Sequence, residues 1–524
     1  MISIPLTTDA LVIGSGLAGG IAALELAQQG LEVALITRAE DPGETNTSLA
    51  QGGIVYEGED DSPALLVADI LRAGAGLSLP EAAEVLAAEG PSLVRQLLIE
   101  RLGVPFLKLP TDGYDLTVEG AHSVKRILHV ADATGRAIEE RIIAAAQAEP
   151  RISLYPKHTA VDLITSTHHA HDALAVYGGP VCLGAYVFDH ETNQVRTCLA
   201  RATLLATGGL GQIYLHTTNS SGARGDGIAM ARRAGARVIN MEYVQFHPTA
   251  FYKRNAPRFL ITEAMRGEGA RLVTSNGEPF MERFAPEWKD LAPRDLVARS
   301  IQQVMLEADS ECVYLDLRSY VPAGQIKSRF PNLYDQCLAH GVDITQDLIP
   351  VVPAAHYSCG GIWVDARGRS SLKGLYAAGE ASCTGLHGAN RLASTSLLEC
   401  LVWGHRAALD MAQYIDSFSG PFLEIPPWDD SGLDERADPA LIVQDMHTIQ
   451  SIMWNYVGLM RTTNRLKRAV TDLRNLALEI EEFYRRTKLS DGLIGLRNAA
   501  AVAQLVANAA LRNRQSRGCH YRVD

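Results

Sequence analysis

No two of the eight cysteines in the sequence have the C-x-x-C spacing. That absence argues against an iron–sulfur cluster and against structural zinc, so we predict no metal site. No apolar run is long enough to cross a bilayer, and residues 1–9 carry no basic-then-apolar secretion signal. We therefore expect a cytoplasmic protein that does not bind membranes and whose cysteines are reduced and mostly buried.

Positive charge is in the minority, because 48 Lys and Arg residues are outnumbered by 60 Asp and Glu residues, for a formal net charge of −12. An overall negative field disfavours nucleic acid, since phosphate binding needs a basic face. Any site for a dianionic substrate must therefore collect positive charge locally. With 524 residues, the chain is too long for one compact core, so two or three domains are expected.

The start of the chain predicts a βαβ unit and hence an α/β fold. Leu11-Val12-Ile13 is a short apolar run ended by glycine, which is typical of a buried parallel strand. Residues 21–29 follow as a helix with Gly30 as its C-terminal cap, and residues 31–37 form the next strand.

Strands that end on glycine recur at residues 203–209 and 374–380, whereas the region between them has a different pattern, with an Asn276-Gly277 hairpin signal. This pattern predicts that a Rossmann-like domain is interrupted by an inserted α+β domain. The predicted boundaries are 1–242 and 351–418 for the first domain and 243–350 for the inserted capping domain.

The last hundred residues are predicted to be helical. Pro421, Pro426 and Pro427 mark a boundary, and beyond it apolar residues follow four-three spacing from Ile442 to Met460. We predict a C-terminal helical domain at residues 429–524, in which this stripe packs against other helices.

A G-x-G-x-x-G sequence lies between the first strand and the first helix. Gly14 permits the tight turn, Gly16 lets the backbone approach a pyrophosphate, and Gly19 lets helix and strand pack closely. The N-terminus of the helix then lies near the negative charge. An ordinary glycine turn can have the same spacing, but the strand and helix on either side favour dinucleotide binding.

The acidic residue expected at the end of the second strand is missing, and Thr37-Arg38 stands there instead. An arginine suits the 2′-phosphate of NADP, which leaves that cofactor open. Three dispersed features favour FAD: the small-residue loop at 48–53, Asp226 ahead of a helix, and Glu380 at the end of a late strand. One NADP site would not need all of these segments.

Several further motifs occur in a fixed order: Ala50-Gln51-Gly52-Gly53, Gln245-Phe246-His247-Pro248-Thr249, residues 262–269, Pro293-Arg294-Asp295, Pro353-Ala354-Ala355-His356-Tyr357, Gly379-Glu380 and residues 385–400. Together they resemble the succinate dehydrogenase/fumarate reductase flavoprotein family over nearly the whole chain. The combination is specific, although each motif alone is not. The resemblance implies FAD as the cofactor and a C4 dicarboxylate as the substrate.

Two positions separate this chain from the membrane-complex dehydrogenases of that family. Those enzymes attach FAD covalently to a histidine, and Asn46 stands at the equivalent position, so the flavin is expected to be non-covalent. They also have a bulky apolar residue where this chain has Glu119, whose carboxylate can attract a substrate ammonium group. The alternative is that Glu119 is a solvent-exposed loop carboxylate. Residues 119–123 resemble the corresponding segment of family members that oxidise aspartate. Ala121 stands where that segment has a glycine, which is a small departure.

The resemblance also implies which residues form the two sites. The predicted catalytic residues are Arg294, Glu119, His247, Thr262, Glu263, His356, Arg391 and Gln245. The predicted cofactor-binding residues are Gly14, Ser15, Gly16, Leu17, Ala18, Gly19, Arg38, Asn46, Thr47, Ser48, Ala50, Gln51, Gly52, Gly53, Asp226, Glu380, Ser396 and Leu397. Each of these residues, taken singly, also has a structural explanation. His247 and His356 could be buried core histidines. Arg391 could form a surface ion pair, and Thr262 could cap a helix.

The implied reaction is oxidation of L-aspartate to iminosuccinate, by hydride transfer from C2 to flavin N5, with dioxygen or fumarate as the re-oxidant. Its product feeds quinolinate and hence NAD synthesis, so functional coupling to quinolinate synthase is expected. Residues 243–350 are expected to close over the flavin. The alternative is a fumarate reductase or succinate dehydrogenase flavoprotein subunit, against which Asn46 and Glu119 argue.

Overall fold

The computed structural model describes residues 7–110, 113–418, 422–433 and 435–524, so Pro421 of the predicted boundary lies outside the described residues. The strands are, in chain order, β1 (Thr7–Ile13), β2 (Val33–Ile36), β3 (Ile54–Val55), β4 (Leu116–Thr117), β5 (Ile127–Leu128), β6 (Ile152–Tyr155), β7 (His158–Thr165), β8 (Cys182–Asp189), β9 (Gln194–Leu205), β10 (Val238–Ile239), β11 (Val244–Phe251), β12 (Arg271–Val273), β13 (Val313–Asp316), β14 (Ile349–Ser358), β15 (Gly361–Trp363), β16 (Leu375–Ala377) and β17 (Ser382–Cys383). The helices are α1 (Leu17–Gln28), α2 (Pro63–Ala73), α3 (Pro80–Leu93), α4 (Thr134–Ala148), α5 (Ser166–His169), α6 (Asp226–Arg233), α7 (Ala264–Gly267), α8 (Met281–Phe284), α9 (Arg294–Glu307), α10 (Ala323–Arg329), α11 (Pro331–Ala339), α12 (Thr395–Asp416), α13 (Pro439–Val457), α14 (Thr463–Arg486) and α15 (Asp491–Arg512).

The central sheet has the strand order β6-β2-β1-β9-β8-β7, and β16 pairs with β9. The pairs that β1 makes with β2 and β9 are parallel, as are those of β2 with β6 and β9 with β16, whereas β7, β8 and β9 form antiparallel pairs. Residues Leu11 and Val12 are fully buried, as expected for a strand covered on both faces. The predicted βαβ unit is confirmed, but its helix begins at Leu17, four residues earlier than the apolar pattern indicated.

The inserted region is built on a second sheet with the order β11-β14-β13-β12. It has its own apolar core, which runs from Phe251 to Val351 and includes Leu315 and Phe330. The predicted turn at Asn276-Gly277 is present, and Gly277 has a left-handed φ of +81°. Strands β11 and β14 connect this sheet to the central domain.

Helices α13, α14 and α15 follow, and the predicted amphipathic stripe is confirmed in α13, where Ile449 and Met453 are buried. The helix ends at Val457, so Met460 of the predicted stripe lies beyond it. The buried faces of these helices belong to the same continuous apolar cluster as the central sheet. Among the described residues, no helix combines the length and hydrophobicity that a bilayer span requires.

Candidate active site

A cavity of about 330 Å³ lies at the carboxyl ends of the parallel strands. It is lined by Ile13 and Ile36, the last residues of β1 and β2, and by Ala206 directly after β9. Thr262 and Arg294 of the inserted region also line it, so the cavity lies between the central domain and that region. Doubly wound sheets bind their ligands at this edge.

Most of the residues predicted from the sequence line this cavity. From the catalytic set these are Glu119, His247, Thr262, Glu263, Arg294, His356 and Arg391. From the cofactor set these are Gly14, Ser15, Gly16, Leu17, Ala18, Arg38, Asn46, Thr47, Ser48, Ala50, Gln51, Gly52, Gly53, Asp226, Glu380, Ser396 and Leu397. Gly19 and Gln245 do not line it. We call the part formed by Gly14, Ser15 and Gly16 the glycine end, and the part formed by Arg391, Arg294 and His247 the arginine end.

The glycine end is shaped by close backbone contacts. Gly14 has a φ of +113°, and a Cβ there would lie 2.1 Å from the carbonyl oxygen of Ala206. A Cβ on Gly19 would lie 1.9 Å from the carbonyl oxygen of Gly14. Gly19 therefore does what the motif predicts, close packing of helix on strand, without reaching the cavity. The first turn of α1 has no acidic side chain, so its N-terminus is free to face an anionic group.

Glu380 supplies a carboxyl group beside the glycine end. It accepts hydrogen bonds from the Ser358 backbone N–H at 2.9 Å and from Asn46 Nδ2 at 3.3 Å. Burial raises the pKa of Glu380 to about 7. Asn46 also accepts a hydrogen bond from the Ser220 backbone N–H at 2.8 Å, so one amide bridges two loops around the cavity. A carboxyl group in this place can bind cofactor hydroxyls, and the glycine-lined turn admits a pyrophosphate, so these residues fit FAD.

Arg38, the position that left NADP open, already has protein partners. Its Nη1 lies 3.2 Å from Asp491 Oδ2, and its Nη2 donates to Ser221 Oγ at 2.5 Å. Asp226 is likewise held, by Arg224 Nη2 at 2.8 Å and Asn498 Nδ2 at 2.9 Å. Because carboxylates already compensate Arg38, it is a poor receptor for the dianionic 2′-phosphate of NADP.

Arg391 is buried at the arginine end with no carboxylate partner among the described contacts. Its Nη1 donates to Ser396 Oγ at 2.6 Å, and its guanidinium carbon lies 4.6 Å from the ring centre of Tyr357. Burial, and then the charge of Arg294, lowers the pKa of Arg391. An uncompensated buried guanidinium is costly, and a substrate carboxylate is the group that would satisfy it.

Gln245 was predicted to face the substrate or flavin, and it does not line the cavity. Its Nε2 donates to Asn390 Oδ1 at 2.7 Å and to the Arg391 carbonyl at 2.9 Å, while its Oε1 accepts from Arg391 Nε at 3.3 Å. Strand β11 is regularly spaced from Gln245 to His247, and the irregularity lies in β14, where His356 is an extra residue between the partners of Gln245 and Phe246. Gln245 thus holds Arg391 from behind.

Glu263 joins the second arginine to the site. Its Oε2 accepts a hydrogen bond from Arg294 Nε at 2.6 Å, and Arg266 Nη2 lies 3.9 Å from the same oxygen. The side chain of Arg266 is completely buried. Burial would raise the pKa of Glu263, but Arg294 and Arg266 outweigh it and hold that pKa below its ordinary value.

His247 and His356 lie side by side, with ring centres 5.5 Å apart. Burial, and then the nearby arginines, lowers the pKa of both imidazoles well below the ordinary value. Thr218 Oγ1 lies 2.8 Å from His356 Nδ1. Neutral imidazoles can donate hydrogen bonds to a carboxylate without adding further charge to a site that already holds two arginines.

Glu119 also lines the cavity. Its Oε2 accepts a hydrogen bond from Ser394 Oγ at 2.5 Å, and a Cβ on Gly52 would lie 2.6 Å from its other carboxylate oxygen. Ser394 has a left-handed φ of +56°, which is uncommon for a residue other than glycine. Glu119 therefore contacts cavity-lining residues rather than standing free in solvent as the alternative required.

Sequence reasoning missed several cavity-lining residues, among them Thr45, Arg136, Thr218, Asn219, Arg258, Asn332, Gln336 and Ser394. Ser394 lies inside the matched segment 385–400, so that segment was the available signal. The others stand in loops and helices with no local pattern that marks a ligand site.

Comparison with protein families agrees with this geometry. Residues 9–397 match the FAD binding domain family, and residues 446–524 match the family described as fumarate reductase flavoprotein C-term. FAD is therefore the cofactor.

Comparison with curated proteins narrows the family further. The chain is 46% identical to L-aspartate oxidase of Pseudomonas aeruginosa, over 98% of this chain and 95% of that protein. The chain belongs to the L-aspartate oxidase family. It is also 41% identical to the chloroplastic L-aspartate oxidase of Oryza sativa, over 98% of this chain and 81% of that protein.

Solved structures place this L-aspartate oxidase family member among succinate dehydrogenase and fumarate reductase flavoproteins. Mycobacterium smegmatis Sdh1, in complex with UQ1, is 32% identical with a TM-score of 0.84, covering 99% of this chain and 89% of that one. The E. coli quinol fumarate reductase chain is 26% identical with a TM-score of 0.86, covering 99% of this chain and 91% of that one. The expected mixed α/β fold with a helical C-terminal region is confirmed.

Proposed function

We propose that this protein oxidises L-aspartate to iminosuccinate. The observation that carries the proposal is the pairing of opposite charges across one cavity: the uncompensated Arg391 stands at the arginine end, and the carboxylate of Glu119 lines the same cavity. L-Aspartate has two carboxylates and one ammonium group, so it needs both kinds of partner. Family membership supports the same substrate.

The two substrate carboxylates are proposed to bind to Arg391, His247, His356 and Thr262. Arg391 offers a fork of fixed donors that matches a carboxylate. The neutral imidazoles and the threonine hydroxyl add hydrogen bonds without further charge. Arg294 is proposed to lie nearest the reacting carbons and to stabilise charge there, since an arginine stays protonated.

The substrate ammonium group is proposed to bind Glu119. An ammonium–carboxylate contact is a charge-assisted hydrogen bond, so it favours aspartate over succinate, which lacks the amine. Ser394 Oγ donates a hydrogen bond to Glu119 Oε2, and this bond fixes the direction of the carboxylate.

Bound FAD, which we propose is held without a covalent bond because Asn46 cannot form one, supplies the hydride acceptor. The protein orients C2 of the substrate and stabilises charge. Besides the hydride from C2, the ammonium nitrogen loses one proton to solvent, so that the product forms as the iminium form of iminosuccinate. Glu263 keeps Arg294 compensated and in position while that happens.

Residues 243–350 are proposed to act as a cap over an FAD-binding domain formed by 1–242 and 351–418, with 429–524 as a helical region. Thr262 and Arg294 come from the inserted region, whereas Arg391 comes from the central domain. Asn332 of α11 contacts Asp132, and both residues line the cavity. Closure would exclude water and bring these groups together.

Dioxygen and fumarate are both proposed as re-oxidants, and functional coupling to quinolinate synthase is proposed because iminosuccinate is a precursor of quinolinate. The cytoplasmic location stays a prediction from the sequence.

Anaerobic mixing of the FAD-loaded protein with L-aspartate or succinate tests the proposal. We expect the flavin absorbance to bleach with L-aspartate. In Glu119→Gln, aspartate oxidation is expected to fall by about 10- to 100-fold, while fumarate reduction changes little, because only the amine contact is lost. Turnover with succinate alone would favour the dehydrogenase alternative. Equal losses with both substrates would contradict the ammonium role.

A further inference from the structure

Helix α2 places a completely buried carboxylate, that of Asp69, behind the loop that carries Glu119. A carboxylate with no access to water must be satisfied by protein donors. Its partners therefore indicate what the group holds in place. Asp69 does not line the cavity, so any effect on the substrate must pass through those partners.

Most of the donors to Asp69 come from the segment just after Glu119. The Ser123 backbone N–H donates to Oδ2 at 2.9 Å, and Ser123 Oγ donates to Oδ1 at 2.5 Å. Arg126 Nη2, which is also fully buried, lies 3.1 Å from Oδ2. Arg72, one turn along α2, contacts Oδ1.

The loop from Glu119 to Ser123 has a backbone conformation that needs such support. Ala121 has a left-handed φ of +70°, a backbone conformation that is unfavourable for a residue with a Cβ. Such conformations persist where the surrounding structure fixes them. Here Arg72 Nη2 donates to the Ala121 carbonyl at 3.1 Å, and the His122 N–H donates to the Glu119 carbonyl at 3.2 Å.

A second anchor joins the same loop to the substrate side. His122 Nε2 lies 2.9 Å from the Ala393 carbonyl, so it is the protonated nitrogen and donates to that oxygen. The next residue, Ser394, donates to Glu119 Oε2. Asp69, which does not line the cavity, thus holds one side of the loop, and residues 393–394 hold the side that faces the cavity. Glu119 lies between these two sets of contacts.

We propose that Asp69 is a positioning residue that sets the selectivity for the amino-dicarboxylate. This rests on the proposed ammonium-binding role of Glu119. By fixing Ser123 and, with Arg72, the strained turn at Ala121, Asp69 keeps the Glu119 carboxylate where a substrate ammonium group meets it. Dicarboxylates without an amine do not use that contact, so their turnover does not depend on Asp69.

Asp69→Asn is the direct test, because it keeps the shape and removes one acceptor and the charge. In the FAD-loaded protein we expect kcat/KM for L-aspartate to fall about tenfold or more, since a misplacement of about 1 Å can cost on the order of 100-fold. Fumarate reduction is expected to stay within about threefold, because it does not use the Glu119 contact. Equal losses for the two reactions would overturn the proposal.

Asp410→Asn is the matched control. Asp410 on α12 is also buried, and it accepts hydrogen bonds from Arg369 Nε at 2.6 Å and from Tyr376 OH at 2.8 Å. None of these partners belongs to the loop from Glu119 to Ser123. We expect a comparable fall in melting temperature and no change in the ratio of aspartate to fumarate activity. The same shift of that ratio in Asp410→Asn would show that general destabilisation, not positioning, is responsible.

Ser123→Ala decides the question if Asp69→Asn does not fold. It removes only the hydroxyl donor to Asp69, and Ser123 is exposed, so the stability cost is small. We expect aspartate kcat/KM to fall about threefold, the size of one weakened hydrogen bond, with fumarate reduction unchanged. Glu119→Gln is measured in parallel. If the ratio of aspartate to fumarate activity falls in Glu119→Gln but not in Asp69→Asn or Ser123→Ala, the role of Asp69 is overturned and the role of Glu119 stands. If that ratio does not fall in Glu119→Gln, the ammonium-binding role of Glu119, on which this inference rests, is overturned.

Discussion

Arg294 Nε and Glu263 Oε2 are 2.6 Å apart. Arg294 and Arg391 repel each other across the cavity, and the carboxylate of Glu263 counters the charge of Arg294. The carboxylate stays ionised, because Arg294 and Arg266 outweigh the effect of burial on the pKa of Glu263. It therefore compensates Arg294 and fixes the direction of its guanidinium. Among the residues that the structure describes, Arg391 has no such carboxylate partner, so it remains available to a substrate carboxylate.

Glu263→Gln is expected to lower kcat on the order of 100-fold, because Arg294 loses its counter-charge and its fixed direction at the reacting carbons. KM for L-aspartate is not expected to rise, since the arginine end becomes more positive. FAD content should be unchanged, because Glu263 lies at the arginine end. Steady-state kinetics together with the flavin-to-protein absorbance ratio measure this.

Glu268→Gln is the control, because Glu268 belongs to the same motif but pairs outside the cavity with Arg329 at 3.3 Å and Gln325 at 3.0 Å. Its kcat is expected to stay within about twofold, because an ion pair outside the cavity and partly open to solvent contributes little. A normal kcat in Glu263→Gln would remove the pair from the mechanism.

The parts of the site that rest on local chemistry could be predicted from the sequence. The turn at Gly14 and Gly16 is specified by residues close together in the chain, and the strand and helix around it give it a place in the fold. The residues of the arginine end could be predicted because they belong to motifs that together form a family pattern. Both predictions depend little on how distant segments meet.

The contacts between distant segments could not be predicted. Ser394 reaches Glu119 across 275 positions, and its left-handed backbone leaves no trace in the sequence. Gln245 and His247 are two residues apart, which predicts a common face on a regular strand, but only His247 lines the cavity. The extra residue that β14 has at His356, opposite Gln245 and Phe246, depends on how the two strands pair and cannot be recognised from the Gln245 motif.

Gln245→Met is expected to raise KM for L-aspartate about tenfold with kcat nearly unchanged, because Arg391 loses the acceptor for its Nε and binds the carboxylate less well in ground and transition state alike. Methionine keeps the volume, so the packing is largely retained. Steady-state kinetics measure the two parameters.

Gln504→Met is the control for loss of a partly buried amide. Gln504 donates to the Leu473 carbonyl at 3.1 Å within the C-terminal helices, and its replacement should leave KM unaltered. A fall in kcat with a normal KM in Gln245→Met would show that Gln245 acts on the chemical step instead.

Glu380 is expected to make FAD binding depend on pH. Because burial raises the pKa of Glu380 to about 7, the carboxyl of the FAD-free protein takes up a proton as the pH falls from 8 to 6. A carboxylate accepts hydrogen bonds from cofactor hydroxyls better than a carboxylic acid does, so the Kd for FAD should rise about tenfold at one pH unit below the pKa.

Glu380→Gln has no titrating group, so its Kd for FAD is expected to be higher than that of the unchanged protein at pH 8 and nearly flat down to pH 6. Titration of the FAD-free protein while flavin fluorescence is followed gives both curves. The same slope in the variant would assign the pH dependence to another group.

His520 is expected to make the free energy of unfolding depend on pH. Its Nδ1 accepts from Arg461 Nη1 at 2.6 Å, and its Nε2 donates to the Asn513 carbonyl at 3.0 Å, so the ring is held neutral. Burial, and then Arg461, lowers its pKa from 6.5 to about 4. Between those values the unfolded chain binds a proton that the folded chain does not, so stability falls as the pH drops through this window.

His520→Gln removes the titrating group and keeps a hydrogen-bonding side chain. Its stability at neutral pH is expected to be lower, but its fall between pH 6.5 and 4.5 should be shallower than that of the unchanged protein, by up to about 1.4 kcal/mol per pH unit. Denaturant titrations at several pH values measure the two slopes. His171→Gln, at a solvent-exposed position, should keep the original slope. Parallel curves for His520→Gln and the unchanged protein would mean that His520 is not kept neutral by the fold, and that the bond from Arg461 does not restrict its protonation.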